Sequence, residues 1–245
     1  MEIKKIEGFV IGGTPYGESS KILNILTPEY GIIGVMSKGC KGAKSKLKII
    51  SENFTYGYFY MYYKEDKIST LIGADIINYF SNIKNNITTV SFLSYLTELT
   101  KNVYKHGEDR EIYNLFISSI LKIESGLNPL AIANILELKY LDYLGVSLNL
   151  DACVVCGNKN IVTLSSERGG YVCNSCRTNE KLLDEKALKT LRLYYYVDIS
   201  KISKLEISES IIKEIDKFLT AYYDNYTGLY IKSKKFLETL KSIEK

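Results

Sequence analysis

The chain has 245 residues, of which 46% are hydrophobic and 24% charged, a composition typical of a globular protein with one large or two modest domains. Its formal net charge of +4 permits an anionic partner but does not require one. The first residues lack the apolar segment of a signal peptide, and no apolar run approaches the length of a membrane span, so we expect a cytoplasmic protein.

Residues 1–80 have the pattern of a small β-domain. Short runs rich in branched and aromatic residues alternate with turn signals, which predicts five strands. They are expected at about 3–11, 21–27, 32–38, 54–63 and 68–76. Five short strands with a long connection between the third and the fourth suit a closed barrel, and the OB-fold is the commonest barrel of that size. The sequence therefore predicts an N-terminal OB-fold.

The segment after the first predicted strand resembles a phosphate-binding P-loop that lacks its cation. Gly12 and Gly17 have the P-loop spacing, but Glu18 occupies the lysine position. A carboxylate there would repel the phosphates of a nucleotide. The segment also leads into a strand, and not into a helix whose N-terminus binds phosphate. We interpret residues 12–17 as a hairpin turn.

The densest group of positive charges follows the third predicted strand. No acidic residue lies between Tyr30 and Ser51, and the cations there are Lys38, Lys41, Lys44, Lys46 and Lys48. Nucleic-acid-binding barrels use such loops, in which lysines neutralise phosphates without reading sequence. The charges alone are equally consistent with a solvated loop that only aids solubility. Cys40 in this loop is interpreted as a small structural residue.

The fourth predicted strand alternates aromatic residues with others. One face carries Phe54, Tyr56, Tyr58, Tyr60 and Tyr62, and the other carries Thr55, Gly57, Phe59, Met61 and Tyr63. One face is expected to line the barrel core. The other is left open between core packing and a platform on which bases stack.

After Tyr79 the apolar residues recur with the period of a helix. Asn128 as N-cap, Pro129 at the first position and Gly145 past the end delimit one helix. Asp184 and Ser208 are the expected caps of two later helices, and residues 229–243 contain the last. Residues 81–245 are therefore predicted to form an α-helical bundle domain.

The last predicted helix mixes lysines with apolar residues. Its surface suits an acidic peptide that ends in hydrophobic residues. The simpler interpretation is a terminal helix that packs Phe236, Leu240 and Ile243 inward and leaves its lysines in water. The only histidine, His106, is predicted to follow a helix at the surface.

Four cysteines form two C-x-x-C pairs within this helical domain: Cys153, Cys156, Cys173 and Cys176. Two such pairs separated by sixteen residues have the spacing of a zinc ribbon. Four thiolates complete a tetrahedron and leave no open position for water or substrate. We therefore predict one structural Zn²⁺ ion in an insertion at about residues 150–180. With no open metal site and no convincing carboxylate pair or nucleophile motif, the chain is not expected to be an enzyme.

Several short segments, in this order, resemble the RecO family of bacterial DNA repair and recombination mediators. They are Gly17–Ile22, Leu26–Gly31, the Lys38-Gly39-Cys40-Lys41 stretch, the four-cysteine segment and Gly228–Leu237. Each motif is weak alone, but their order and spacing across the whole chain are specific.

The resemblance implies an N-terminal OB-fold, a helical domain with the zinc region, and binding of single- and double-stranded DNA. It implies annealing of complementary strands and, with RecR and in some settings RecF, loading of RecA onto DNA coated by the single-strand-binding protein SSB. The basic positions of the family correspond to Lys38 and Lys41. Lys44, Lys46 and Lys48 are added from their charge. The acidic tail of SSB is a further implied partner, and the nucleoid is the implied location.

Two other classes of function stay open at this point. One is a zinc-ribbon adaptor that binds only proteins and has no direct contact with DNA. The other is a metal-dependent enzyme. DNA binding separates the mediator from the adaptor, and full thiolate coordination of the metal without hydrolytic activity excludes the enzyme.

Overall fold

The structure is a computed structural model that describes residues 2–105 and 109–243. It divides into a first unit, Met1–Ser81 with Glu108–Asn114, and a second unit, Asn82–Gly107 with Leu115–Lys245. His106 lies outside the described residues, so its position at the surface stays a prediction.

The first unit contains a closed five-stranded barrel. Its strands are β1 (Ile3–Tyr16), β2 (Ser20–Thr27), β3 (Gly31–Ser37), β4 (Tyr56–Tyr62) and β5 (Ser69–Asn78). They close in the order β1-β2-β3-β5-β4. All neighbouring strands are antiparallel except β3 and β5, which pair in parallel. The predicted OB-fold barrel is confirmed.

Strand β1 is longer than predicted, and the expected turn at residues 12–17 is wrong in position. The register of β1 against β2 shifts between Val10 and Gly12, so β1 continues beyond the irregularity and stays paired as far as Tyr16. Such a bulge bends a strand without ending it. The turn begins at Gly17, whose φ of 56° is strained for any residue with a side chain.

The inner face of β4 contributes Phe59 and Met61, both fully buried, to the barrel core. The same core contains Val10, Leu23, Ile25 and Val35. The predicted core face is therefore the one that carries Phe59. Tyr58 and Tyr62, on the alternate face, remain 37% and 38% exposed.

The second unit is helical, with a two-stranded hairpin inserted among its helices. The helices of the chain are α1 (Ser81–Lys84), α2 (Ile87–Tyr104), α3 (Arg110–Glu124), α4 (Pro129–Tyr143), α5 (Glu185–Tyr196), α6 (Glu209–Tyr226) and α7 (Lys232–Ile243), of which the first residue of α1 and the first five of α3 belong to the first unit. The hairpin consists of β6 (Ile161–Ser165) and β7 (Gly170–Cys173), between α4 and α5. Among the described residues, no helix combines the length and the apolar character needed to cross a membrane.

The predicted caps are largely confirmed. The Asn128 side chain accepts hydrogen bonds from the backbone N–H groups of Leu130 and Ala131, and Asp184 accepts one from Lys186. These bonds satisfy donors that a helix start leaves without partners. Ser208 occupies the N-cap of α6 but makes no capping bond with its side chain.

The predicted inward face of the last helix is wrong at Phe236, which is 55% exposed, whereas Leu237 is only 2% exposed. Helix α7 begins at Lys232, where the Glu98 carboxylate accepts the backbone N–H groups of Lys232 and Ser233. This start directs Lys234 inward, and Leu237, three residues later, lies on the same face.

Lys234 forms an ion pair inside the helical unit. Its Nζ lies 3.2 Å from Oε1 of Glu137 on α4, and the two side chains are 15% and 1% exposed. The hydroxyl of Tyr95 donates to the same carboxylate oxygen, and the hydroxyl of Tyr223 donates to the backbone carbonyl of Glu137. The ammonium also lies over the rings of both tyrosines. Burial raises the pKa of Glu137, and the positive charge of Lys234 offsets part of this increase.

We predict that Lys234→Met lowers the free energy of unfolding by about 3–5 kcal/mol, because it leaves a buried carboxylate without its counter-charge. The loss in the free energy of unfolding should become smaller as the pH falls from about 7 to about 5. A carboxyl whose pKa is raised by folding takes up a proton more readily in the folded protein than in the unfolded chain. Denaturant unfolding at several pH values measures both effects.

Lys235→Met is the matched control, because Lys235 is exposed and lies over the Tyr230 ring. It should change stability by less than about 1 kcal/mol. Equal losses in the two variants would show that the buried pair has no special role.

Candidate nucleic-acid interface and four-cysteine site

The five lysines of residues 38–48 all lie exposed on the connection between β3 and β4, which we call the lysine loop. Among the described residues, none of these ammonium groups lies within ion-pair distance of a carboxylate. Cys40, in contrast, is only 2% exposed. The loop therefore presents its positive charges to solvent and directs its one thiol inward.

The lysine loop is attached to the turn between β1 and β2. The backbone N–H of Lys41 donates to the carbonyl of Ser19 over 2.9 Å, and that of Gly39 donates to Oγ of Ser20 over 3.1 Å. Gly39 has a φ of 64°, which lets the chain turn sharply at the end of β3. The start of the loop is thus held by Ser19 of the β1–β2 turn and by Ser20, the first residue of β2.

The rest of the loop is ordered by successive turns. Backbone bonds run from Gly42 to Gly39, from Ser45 to Gly42 and from Lys48 to Ser45. Leu47 packs against the barrel core, so the loop is anchored in its middle as well as at its start. These turns fix the backbone from which the lysine side chains extend.

The four cysteines meet in one cluster in the second unit. Their Sγ atoms all lie within 4.8 Å of one another, and those of Cys156 and Cys173 are 3.6 Å apart. A tetrahedral ion with bonds to sulfur of about 2.3 Å would place its ligands about 3.8 Å apart. The donor set therefore fits a metal ion.

The backbone around each pair positions the sulfurs. In the first pair the N–H of Gly157 donates to the carbonyl of Cys153 over 2.8 Å, and Gly157 has a φ of 74°. In the second pair the N–H groups of Cys176 and Arg177 both donate to the carbonyl of Cys173, at the end of β7. Both pairs thus sit on tight turns that direct two thiols to one point.

The electrostatics of the cluster favour a cation. The backbone N–H of Cys173 holds the pKa of Cys153 at about 6, so the first thiolate forms readily. Hydrogen bonds with the side chains of Cys156 and Cys173 raise the pKa of Cys176 to about 12, because they favour its protonated thiol. A divalent ion among the four sulfurs would stabilise all four charges.

Sequence reasoning missed Arg168 as a support of this cluster. Its guanidinium donates to the carbonyl of Cys176 over 2.7 Å and approaches the hydroxyl of Thr178, so it fixes the second cysteine turn. Only its position close to the cysteines in the sequence could have indicated this role.

The structure thus brings the five lysines together on one loop of the barrel unit and the four cysteines together in the helical unit. An OB-fold followed by a helical region with a four-cysteine hairpin defines the class: a multidomain α+β protein with a candidate metal site. The family models described as "Recombination protein O N terminal" and "Recombination protein O C terminal" match residues 1–80 and 84–235.

Similarity to individual relatives extends over nearly the whole chain. The chain is 34% identical to the DNA repair protein RecO of Bacillus pumilus, over 98% of this chain and 96% of that protein. It is 32% identical to the RecO proteins of Halalkalibacterium halodurans and Listeria innocua, again over at least 95% of each sequence. The chain therefore belongs to the RecO family, and its role lies in DNA repair and recombination.

We predict that Cys153→Ser abolishes stoichiometric binding of a divalent metal and lowers the melting temperature, since three thiolates no longer complete the tetrahedron. Elemental analysis of the purified protein and calorimetry measure the two effects. Cys40→Ser is the control, because Cys40 is an equally buried thiol outside the cluster. Full metal content in Cys153→Ser would show that the cluster is not the metal site.

Proposed function

We propose that this protein is a non-enzymatic mediator that binds single- and double-stranded DNA without sequence preference and anneals complementary strands. With RecR, and in some settings RecF, it helps to load RecA onto DNA coated by SSB, whose acidic tail is a further candidate partner. The observation that supports the proposal best is the array of five exposed lysines, free of ion pairs to described residues, in a chain of the RecO family.

The lysine loop would bind DNA through its phosphates. Ammonium groups are compact charges that neutralise phosphates and release counterions, which gives affinity without base recognition. The backbone of Lys41 is bonded to Ser19, and Lys38 directly precedes Gly39, which is bonded to Ser20, so both lysines extend from backbone that is held against the barrel. Lys44, Lys46 and Lys48 would extend the same phosphate-binding surface along the loop.

The two domains would then have different roles. Residues 1–80 form the DNA-binding OB-fold, and residues 81–245 form the helical domain that contacts protein partners. One Zn²⁺ ion, held by Cys153, Cys156, Cys173 and Cys176, would cross-link the hairpin and supply no chemistry, because four thiolates leave no site for a substrate. The proposed place of action is the cytoplasm, at the nucleoid.

We predict that Lys38→Glu with Lys41→Glu lowers the affinity for DNA about tenfold or more at low salt. The slope of log K against log[salt] should become shallower by about 0.9 for each duplex phosphate that the variant no longer neutralises, and by about 0.7 for each phosphate of a single strand. Fluorescence anisotropy with labelled oligonucleotides over a salt series gives both quantities.

The matched control is Lys64→Glu with Lys67→Glu, an equal change in charge at exposed positions between β4 and β5. This control should retain the salt slope of the unaltered protein. An identical loss of affinity in both double variants would mean that net charge, and not the lysine loop, determines binding.

We also predict that the protein accelerates annealing of complementary strands coated by SSB, and that RecR alters this rate. The lysine-loop variant should lose the acceleration, because it no longer holds phosphates. Cys153→Ser should lose it only in parallel with its thermal stability. A protein that binds RecR but neither binds nor anneals DNA would be the zinc-ribbon adaptor instead.

A further inference from the structure

Part of the outer barrel surface is aromatic and only partly covered. On the shared outward face of β1 and β4, four pairs lie opposite one another: Ile3 and Tyr62, Lys5 and Tyr60, Glu7 and Tyr58, Phe9 and Tyr56. At one end Phe80 packs against Phe9 and Tyr56, which are 0% and 7% exposed. At the other end Tyr58 and Tyr62 are 37% and 38% exposed, and Ile3 is 56% exposed. We call Lys5, Tyr58, Tyr60 and Tyr62 the tyrosine face.

The tyrosine face is held in a defined geometry. The hydroxyl of Tyr60 donates to the Asp75 carboxylate over 2.6 Å, which fixes this ring from the neighbouring strand β5. The ammonium of Lys5 lies 4.5 Å from the centre of the Tyr58 ring and 5.6 Å from that of Tyr60. Alternate residues of a strand are about 6.7 Å apart, roughly twice the 3.4 Å rise per nucleotide within a DNA strand. Successive rings can therefore each receive a flat ligand without overlap.

We propose that the tyrosine face binds the unpaired bases of single-stranded DNA by stacking, as a site distinct from the phosphate-binding lysine loop. The inference rests on the proposed function, because it requires a protein that binds DNA. Aromatic rings flanked by a cation form sequence-tolerant platforms for single strands, since every base has a π-face. Lys5 is exposed, so its ammonium can move from the Tyr58 ring to a phosphate when a base takes its place.

The chemistry of the face suits a base. Three phenol rings in a row present flat faces beside the ammonium of Lys5, and such rings receive bases of any sequence. Two carboxylates lie opposite Tyr58, Glu7 on β1 and Asp75 on β5. Glu7 accepts the hydroxyls of Tyr56 and Tyr113, and Asp75 accepts that of Tyr60 and so orients a ring. A stacked base needs such a ring, and its phosphate can lie on the side of Lys5.

Stacking on this face would distinguish single-stranded DNA from duplex DNA. Bases in a duplex are already stacked on both sides and present no free face, whereas the phosphates recognised by the lysine loop are present in both forms. The two sites together would hold an unpaired strand until it pairs. Duplex formation would then release the bases from the tyrosines.

The chain contains no tryptophan, so Tyr58→Trp introduces a single fluorescent reporter at the proposed site. We expect its emission to be quenched by an oligo(dT) strand and not by a duplex of equal length. An abasic strand, which retains phosphates but has no bases, should bind the lysine loop without quenching. Tyr79→Trp, at a 61% exposed tyrosine beyond the end of β5, is the control and should be insensitive to all three ligands.

Alanine variants test the contribution of stacking to affinity. Tyr58→Ala and Tyr62→Ala should each weaken binding to single strands about 5- to 150-fold and leave duplex binding within about twofold. Tyr58→Phe should retain full affinity, because it keeps the ring. Equal melting temperatures would show that these exposed positions do not act through folding.

The outcomes separate the two proposals. A protein that binds neither form of DNA refutes the proposed function and this inference with it. Binding that depends on Lys38 and Lys41, without quenching of the reporter or weaker binding by the alanine variants, refutes only the stacking site. In that case, weaker binding of RecR by Tyr58→Ala would assign the tyrosine face to a protein partner. Parallel decreases in affinity for single strands and duplex would also refute base stacking.

Discussion

The barrel unit depends on the parallel contact that closes it. Strand β3 pairs with β5 at Val35 opposite Ser69 and at Met36 opposite Thr70, while β4 lies on the far side of β5. Because consecutive strands β3 and β4 are not neighbours, the chain must cross from one to the other outside the sheet. Residues 38–55 make this crossing, and all five clustered lysines lie within it. The closure of the barrel therefore dictates where the positive loop is found.

The helical unit contains two groups of charges that need compensation, and each is compensated differently. The Glu137 carboxylate is paired with Lys234 and accepts the hydroxyl of Tyr95, both supplied by other helices, so its counter-charge comes from packing within the chain. The four thiols lie within 4.8 Å of one another, and as four thiolates they would repel one another unless an ion from outside the chain joined them. The first carboxylate has its counter-charge within the protein, and the second group invites a ligand.

Local chemistry made much of the fold predictable from the sequence. Asn128 and Pro129 specify a helix start by hydrogen bonding and fixed φ, and the cysteine pairs specify their own turns. The predictions that were wrong concern places where a single residue shifts the register of a strand or the buried face of a helix. The irregularity after Val10 extends β1 past its expected end, and the start of α7 at Lys232 buries Leu237 in place of Phe236. Alternation alone also could not tell which face of β4 is covered, because that depends on which residues pack over it.

The attachment of the lysine loop to the β1–β2 turn lowers the conformational entropy that the loop loses when it binds a ligand. A loop that is ordered in the free protein loses little conformational freedom when a ligand arrives, so the cost of ordering is met during folding and not during binding. Two backbone donors, from Gly39 and Lys41, are responsible for this here. The flexible lysine side chains can then exchange one phosphate for the next while the backbone stays fixed. Such pre-organisation would suit the function proposed for the lysine loop, which is to hold DNA firmly enough to align it and loosely enough to let it go.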